Sequence, residues 1–296
     1  MQTIKIGNKR INRGFLFVLP CIIFFSFMIL YPALKVFFNA FFIKGAGLNI
    51  EPSWQGLYNF EKVFKTTKIT KILKNTLVYA LGCTVLHTGL GMIVALVTNS
   101  TLLKRPVQKF FRTLTLVPWA ITPTVVAIMA QMFFHPSIGP VQKLLTLLGY
   151  KGIFDPLGTS KYAMATVILT NVWKFLPFYF LIELTAMQSI DTVLHEAAII
   201  DGANRTQDFF HITLPMIRNQ VLTLAVFDFV SNASYFDITW IMTQGGPMKS
   251  TETLATLIYK TAFQSTKFGE ASAMGVLLFV ISLFVTITVI RIINKE

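Results

Sequence analysis

Glu196-Ala197-Ala198-Ile199-Ile200-Asp201-Gly202-Ala203-Asn204-Arg205-Thr206-Gln207-Asp208-Phe209-Phe210-His211-Ile212-Thr213-Leu214-Pro215 is the longest strongly polar-patterned run lying between two segments apolar and long enough to cross a membrane. It reads as two short helices joined at Gly202. Ser189 or Asp191 can cap the first helix, whose Val193, Ala197 and Ile200, with Leu194 and Ala198, make one apolar face. Gly202 stands where a left-handed residue would end that helix. Thr206 can cap a second turn holding Phe209, Phe210 and Ile212, closed by Leu214-Pro215. A hairpin of this kind lies along a membrane surface.

The flanking sequence supports a bilayer setting. Of 296 residues, 54% are hydrophobic and 13% charged, with 28 Phe and a mean hydropathy of +0.62. Soluble domains carry about 25% charged residues. The apolar residues come in blocks of roughly 20, enough for a helix to cross about 30 Å of hydrocarbon. The net charge of +13 arises from basic residues spread through the loops between those blocks, where they suit anionic headgroups, so nucleic acid is set aside as a partner. Cys21 and Cys83 sit inside apolar blocks without metal or redox spacing and read as small core hydrophobes.

Six spans are predicted, over about 14–38, 75–97, 114–134, 163–184, 221–243 and 271–293. The first follows Lys5, Lys9, Arg10 and Arg13 and continues past Tyr31 with no small-x-small cleavage site, so it reads as a retained helix. Lysines at 62, 65, 68, 71 and 74 recur every three residues and predict one face of a short surface helix, either simply solvated or a docking surface for an external partner. Pro118 and Pro123 predict a kink in the third span. His135 to Ser160 is too rich in Pro and Gly to cross. Six spans put both termini and the 196–215 run on the inner side. Charge alone orients the chain weakly, with about 12 basic residues in each set of loops.

The spacing Glu-Ala-Ala, three residues, Gly, nine residues, Ile-x-Leu-Pro gives seven fixed identities. It resembles the EAA loop of permease subunits of bacterial binding-protein-dependent ABC importers. Asp201-Gly202-Ala203 follows the same pattern. Thr243-Gln244-Gly245-Gly246-Pro247, Leu257-Ile258-Tyr259, Phe263, Phe268-Gly269, Ala271-x-Ala273-Met274-Gly275, Gly56-Leu57-Tyr58-Asn59-Phe60 and Asn75-Thr76 look like the carbohydrate-importing branch. Met187 replaces the branch's usual leucine before Gln188-Ser189-Ile190, and Asp191 its proline after Ile190. The resemblance implies an all-α, six-span type I permease fold. It has an N-terminal tail, first helix and external loop over 1–74, a five-helix core over 75–293 with the coupling helix at about 191–215, and a cytoplasmic C-terminus at 294–296. It implies that Glu196, Ala197, Ala198, Asp201, Gly202, Leu214 and Pro215 grip an ATPase, and that Gly245, Gly246 and Pro247 form an external motif. The implied partners are a second, non-identical permease, two ATPases that bind ATP and Mg, and an extracytoplasmic sugar-binding protein, all at the bacterial cytoplasmic membrane.

Polar residues inside spans are costly and mark interior paths. Helical spacing puts Asp228, Ser231, Asn232, Tyr235 and Thr239 within about 100° of one another, a stripe suited to hydroxyl groups or to packing against a partner helix. On the fourth span Asn171, Lys174 and Glu183 are further candidates for the substrate path, and Lys174 can instead pair with a carboxylate. His87, with Thr84 and Thr88, reads as a hydrogen-bonded core histidine. No Gly-x-x-x-x-Gly-Lys-Ser/Thr, Ser/His/Asp elbow, His-Glu-x-x-His or Cys cluster is present, so the chain is expected not to be an enzyme, and its energy source to be a partner. The reading is a carbohydrate permease subunit. Import of a glycerol-phosphate ester is the alternative within the family, one that would favour a cationic site, and an ion-coupled secondary carrier is the alternative outside it.

Overall fold

The computed structural model describes residues 3–6, 9–47, 50–66, 68–99 and 104–294. Beyond a short antiparallel pair of strands, β1 (Thr3–Ile6) and β2 (Lys9–Asn12), the regular secondary structure of the described residues is helical. In order come α1 (Arg13–Phe25), α2 (Tyr31–Phe42), α3 (Tyr58–Thr66), α4 (Ile69–Asn99), α5 (Arg105–Ala120), α6 (Pro123–Phe133), α7 (Pro140–Leu147) and α8 (Ala163–Gln188). They are followed by α9 (Thr192–Ile200), α10 (Arg205–Asp208), α11 (Leu214–Ala233), α12 (Asp237–Thr243), α13 (Leu254–Tyr259) and α14 (Phe268–Ile293). Four stretches are long and apolar enough to span: Phe17–Phe42, Ile69–Asn99, Ala163–Gln188 and Phe268–Ile293. Two further crossings are bent pairs, Pro106–Ala120 with Pro123–Phe133 at 97° and Arg205–Ala233 with Asp237–Thr243 at 42°.

These elements correct several sequence expectations. The third span is no kinked 114–134 helix but two helices at nearly a right angle. Pro123 lacks the N–H that would continue α5 and instead opens α6, while Ile121 and Thr122 are extended. The second span starts at Ile69, so Asn75-Thr76 lies in its second turn rather than opening it. The lysine row is divided, with Lys62 and Lys65 on α3 and Lys71 and Lys74 on α4. The fifth span is likewise broken, between Ala233 and Asp237. Cys21 is exposed rather than in a core, whereas Cys83 is buried. Of the predicted C-terminal stretch 294–296, only Asn294 is among the described residues.

The chain forms two compact units, Met1–Thr67 with Ile258–Leu277, and Lys68–Leu257 with Leu278–Glu296. In the first, a π turn at Ser26–Leu30 joins α1 to α2, because Pro32 cannot donate to the preceding turn. Asn59, buried on α3, donates to the carbonyls of Ala40 and Ile43 at 2.8 Å each, satisfying acceptors that the end of α2 leaves open. Lys62 pairs with Glu270 at 2.7 Å, and that carboxylate raises the Lys62 pKa. Gly269 lies against the Ile43 carbonyl and the Asn59 side chain, so two motifs some 200 residues apart meet here. A Cβ at Gly269 would collide with the Ile43 backbone oxygen. Gly269→Ala is therefore expected to cost at least about 2 kcal/mol, from overpacking against a group that cannot move aside. A melting temperature equal to wild type in detergent would refute this.

In the second unit α4 packs along α8 and α11. Gly82 and Gly91 let the α4 backbone approach α8: a Cβ at 82 would lie 3.0 Å from Ile168, and one at 91 would lie 3.2 Å from the Phe180 backbone nitrogen. One core gathers Tyr79, Cys83, Ala127, Val167, Val172 and Ile238. A second, at the other end of α4, gathers Met92, Ala95, Phe180, Leu184, Met187 and Ile217. The loop after α12 is held by α4, with Lys71 and Asn75 donating to the carbonyls of Met248 and Lys249 at 2.9 Å and Leu254 N–H donating to Thr76 at 2.8 Å. Gly245, at φ +87°, and Gly246, whose bond to Pro247 is cis, form the turn of that loop. Thr251 closes it by donating to the Gly246 carbonyl at 2.7 Å.

Candidate functional site

Two regions of the second unit bring together the residues singled out by sequence. The first is the 192–213 hairpin. Asp191 caps α9 by accepting from Val193 N–H at 3.0 Å. Gly202 ends it at φ +80°, with Ala203 N–H returning to the Ala198 carbonyl at 2.9 Å, the bond of a Schellman turn. The cap of α10 is Asn204 rather than Thr206. Asn204 accepts from Gln207 N–H at 2.9 Å, and Gln207 accepts from Asn204 N–H at 2.8 Å, a reciprocal box that satisfies two open donors. His195 Nδ1 lies 2.7 Å from Asp208 and bridges the two helices. Leu214-Pro215 does not close the hairpin. The chain runs through a π turn at Phe209–Thr213 into α11, and Pro215 sits in the first turn of α11, where its missing N–H costs nothing.

The apolar face of α9 is turned outward. Ala198 is buried, but Val193, Ala197, Ile199 and Ile200 are exposed, Ile200 to 85%. Glu196, Asp201 and Gly202 are exposed beside them, while Leu214 is half-buried and Pro215 exposed. The foot of the hairpin is anchored through Ile217 in the core around Phe180 and Met187, with Phe209 packed against it. The result is an apolar tip ringed by polar groups on a rooted base.

The second region is a cavity of about 250 Å³ among α4, α8 and α11. Asp228, wholly buried, accepts from the Tyr179 hydroxyl, from Asn232 Nδ2 at 2.6 Å and from His87, whose Nδ1 is 3.0 Å away. His87 stacks on Tyr179 with centroids 4.4 Å apart. Trp119, Phe175, Phe178 and Phe227 supply aromatic wall, and Ser231 and Tyr235 complete it. Of the predicted stripe, Asp228, Ser231, Asn232 and Tyr235 thus share one cavity. Thr239 does not join them. The break at Ser234–Phe236 rotates it away, and its hydroxyl donates to the Phe236 carbonyl at 2.8 Å.

Asn171 donates to the Tyr79 hydroxyl at 2.8 Å in the adjoining core. Lys174, buried, donates to the Trp119 carbonyl at 2.7 Å, one of the acceptors freed where α5 ends, instead of pairing with a carboxylate. His87 is hydrogen-bonded as expected, but it also faces the cavity. Trp119 and Tyr179 were not singled out by sequence, because a lone aromatic in an apolar block carries no polar signal. Among the described residues no group of three or more His, Cys, Asp or Glu is arranged to hold a metal ion.

Residues 87–296 match the family of binding-protein-dependent transport system inner membrane components. The chain is 31% identical to a sulfoquinovosyl glycerol transport system permease protein of Agrobacterium fabrum, covering 95% of this chain and 90% of that one. It is 28% identical to a trehalose/maltose transport system permease protein of Thermococcus litoralis, covering 98% and 96%. The structure resembles that of a bacterial ABC transporter involved in the import of the acidic polysaccharide alginate, with a TM-score of 0.82, 25% identity and 94% and 95% coverage. With its helices, its broken crossings and a match over most of its length, the chain belongs to the binding-protein-dependent ABC importer permeases, membrane transport subunits that are not themselves enzymes.

Proposed function

We propose that this subunit forms half of a membrane path for a carbohydrate, paired with a second, non-identical permease and driven by two ATPases that bind ATP and Mg. An extracytoplasmic binding protein delivers the sugar. Both termini and the 192–213 hairpin face the cytoplasm, and the Gly245–Pro247 loop faces outward. The observation that carries the substrate class is the cavity wall. It combines faces on which sugar rings stack with a carboxylate, an amide and hydroxyls that bind their edges. The trehalose/maltose and alginate transport named for relatives supports the same reading. Coupling rests on the exposed Ile199 and Ile200, flanked by Glu196 and Asp201, an apolar knob that fits a groove on a partner.

Closure of the ATPase pair would move α9, and α11, continuous with the hairpin, would carry that motion to Asp228 and Asn232. The test is to tag the chain, solubilise it gently from its native membrane and identify what co-purifies. A second permease and a Walker-type ATPase in stoichiometric amounts, with ATP-dependent sugar uptake after reconstitution, is the expected result. The chain alone catalysing uptake without ATP would overturn the reading.

A further inference from the structure

We infer that α7 is an interfacial helix, with Leu144, Leu147 and Leu148 seated between the headgroups and acyl chains of the bilayer and Lys143 and Lys151 on anionic phospholipid headgroups. The inference rests on the chain's place in a membrane and not on what it carries. Direction is the first ground. Helical spacing puts Pro140, Leu144, Leu147 and Leu148 on one face of α7, with Gln142 and Thr146 away from it. It is the apolar face that is exposed, Leu147 to 84% and Leu148 to 75%, while Gln142 is half-buried. A surface helix facing water does the reverse. The local fold holds this face outward. Gly149, at φ +89°, ends α7, with Tyr150 N–H returning to the Leu145 carbonyl at 2.9 Å. Gln142 then clamps the returning chain, donating to the Gly152 carbonyl at 3.0 Å and accepting from Phe154 N–H at 2.8 Å.

The second ground is where the segment is tied. Only residues 134–139 separate α7 from Phe133, the exposed apolar end of α6, and the chain re-enters a span at Ala163. The leucine face therefore continues a surface that already meets hydrocarbon. Ser160 donates to the Pro247 carbonyl at 3.5 Å, which sets the segment on the same side as the Gly245–Pro247 loop. Charge is the third ground. Residues 134–162 carry lysines at 143, 151 and 161 against one carboxylate, Asp155, which accepts from Gly158 N–H at 2.8 Å. Lys161 stands 5.4 Å from the centre of the Tyr162 ring at the foot of α8, a pair of the residue types that anchor spans in the headgroup layer. A leucine centre edged by lysines suits a lipid surface. Protein interfaces are depleted in lysine at their cores and take their energy from Trp, Tyr and Arg.

The test places a nitroxide spin label on Leu147→Cys in a Cys21→Ser background, where the remaining Cys83 is buried. The full chain, with the subunits that co-purify, is reconstituted in vesicles of phosphatidylethanolamine and phosphatidylglycerol. Lipid-soluble oxygen is expected to relax the label, and a water-soluble nickel chelate to lose access to it. Access by the chelate means that the face lies in water and overturns the inference. Exclusion of both relaxants means that a protein, such as a binding protein or a second permease, covers the face, and overturns it as well. Lys143→Gln with Lys151→Gln should weaken the hold about tenfold or more, read as chelate access regained in the same vesicles. Unchanged exclusion of the chelate in that double variant would strike out the headgroup contact. None of these results touches the importer reading.

Discussion

Replacing Gly202 by valine is expected to cut ATP-driven uptake by about tenfold while leaving the subunit folded and in the membrane. Gly202 has φ +80°, and a Cβ there would meet nothing within 4 Å. The penalty is therefore conformational and not steric. A β-branched residue held in the left-handed region costs about 1–3 kcal/mol. The Schellman bond from Ala203 to Ala198 is the only described hydrogen bond formed by the Ala203 N–H, so relief of that strain would unwind the end of α9, where Ile199 and Ile200 are presented. The cost is too small to unfold a chain anchored by two cores, yet large enough to depopulate the docking geometry by about tenfold. Gly202→Asn, which tolerates the left-handed region, should keep most of the uptake. The measurement is ATP-dependent uptake in proteoliposomes beside ATPase activity. Wild-type uptake by the valine variant, or equal loss in both variants, would remove the conformational role assigned to this glycine.

The second large effect is expected at Asp228. Asp228→Leu leaves the Tyr179 hydroxyl, Asn232 Nδ2 and the His87 ring without their shared acceptor in a buried place. An average hydrogen bond between membrane helices is worth only about 0.6 kcal/mol. Three polar groups converging on one buried carboxyl group are a different case, and stranding them is expected to cost about 3–5 kcal/mol. The leucine variant should aggregate on size-exclusion chromatography at temperatures where wild type stays monodisperse. Asp228→Asn keeps the shape and one acceptor oxygen, so it should fold but lose uptake about tenfold or more, because an amide NH2 replaces the oxygen that faces His87 Nδ1. A leucine variant melting within a degree or two of wild type would mean that this network holds nothing together.

Much of this was legible in the sequence because the physics is local. The Asp191 cap, the Gly202 stop and the apolar block lengths follow from residue chemistry and periodicity alone. What was not legible depends on neighbours distant in the chain. Nothing near Asn59 announces that it will serve the end of α2 and lie against Gly269. Lys174 read as a site cation because its true partner is a backbone carbonyl, which every residue has. The stripe from Asp228 to Thr239 was extrapolated on an unbroken helix, and the break after Ala233 removed its last member. The apolar face of α9 was legible as a face, but its direction depended on how α11 is rooted.

Under the proposed coupling, the continuity of α11 with the hairpin would make it a lever. Its 20 residues span about 30 Å, with the π turn at one end and the break beside Tyr235 at the other. A rigid tilt of about 10° about the hairpin end would carry the far end through about 5 Å, more than the reach of a hydrogen bond. Asp228 and Asn232 lie on the outer third of that arm, so a small rotation at the base suffices to separate them from His87 and Tyr179 on the neighbouring helices. Affinity at the cavity would then be set by an angle at the membrane surface, and a stiff arm is worth more to such a device than a strong grip on the cargo.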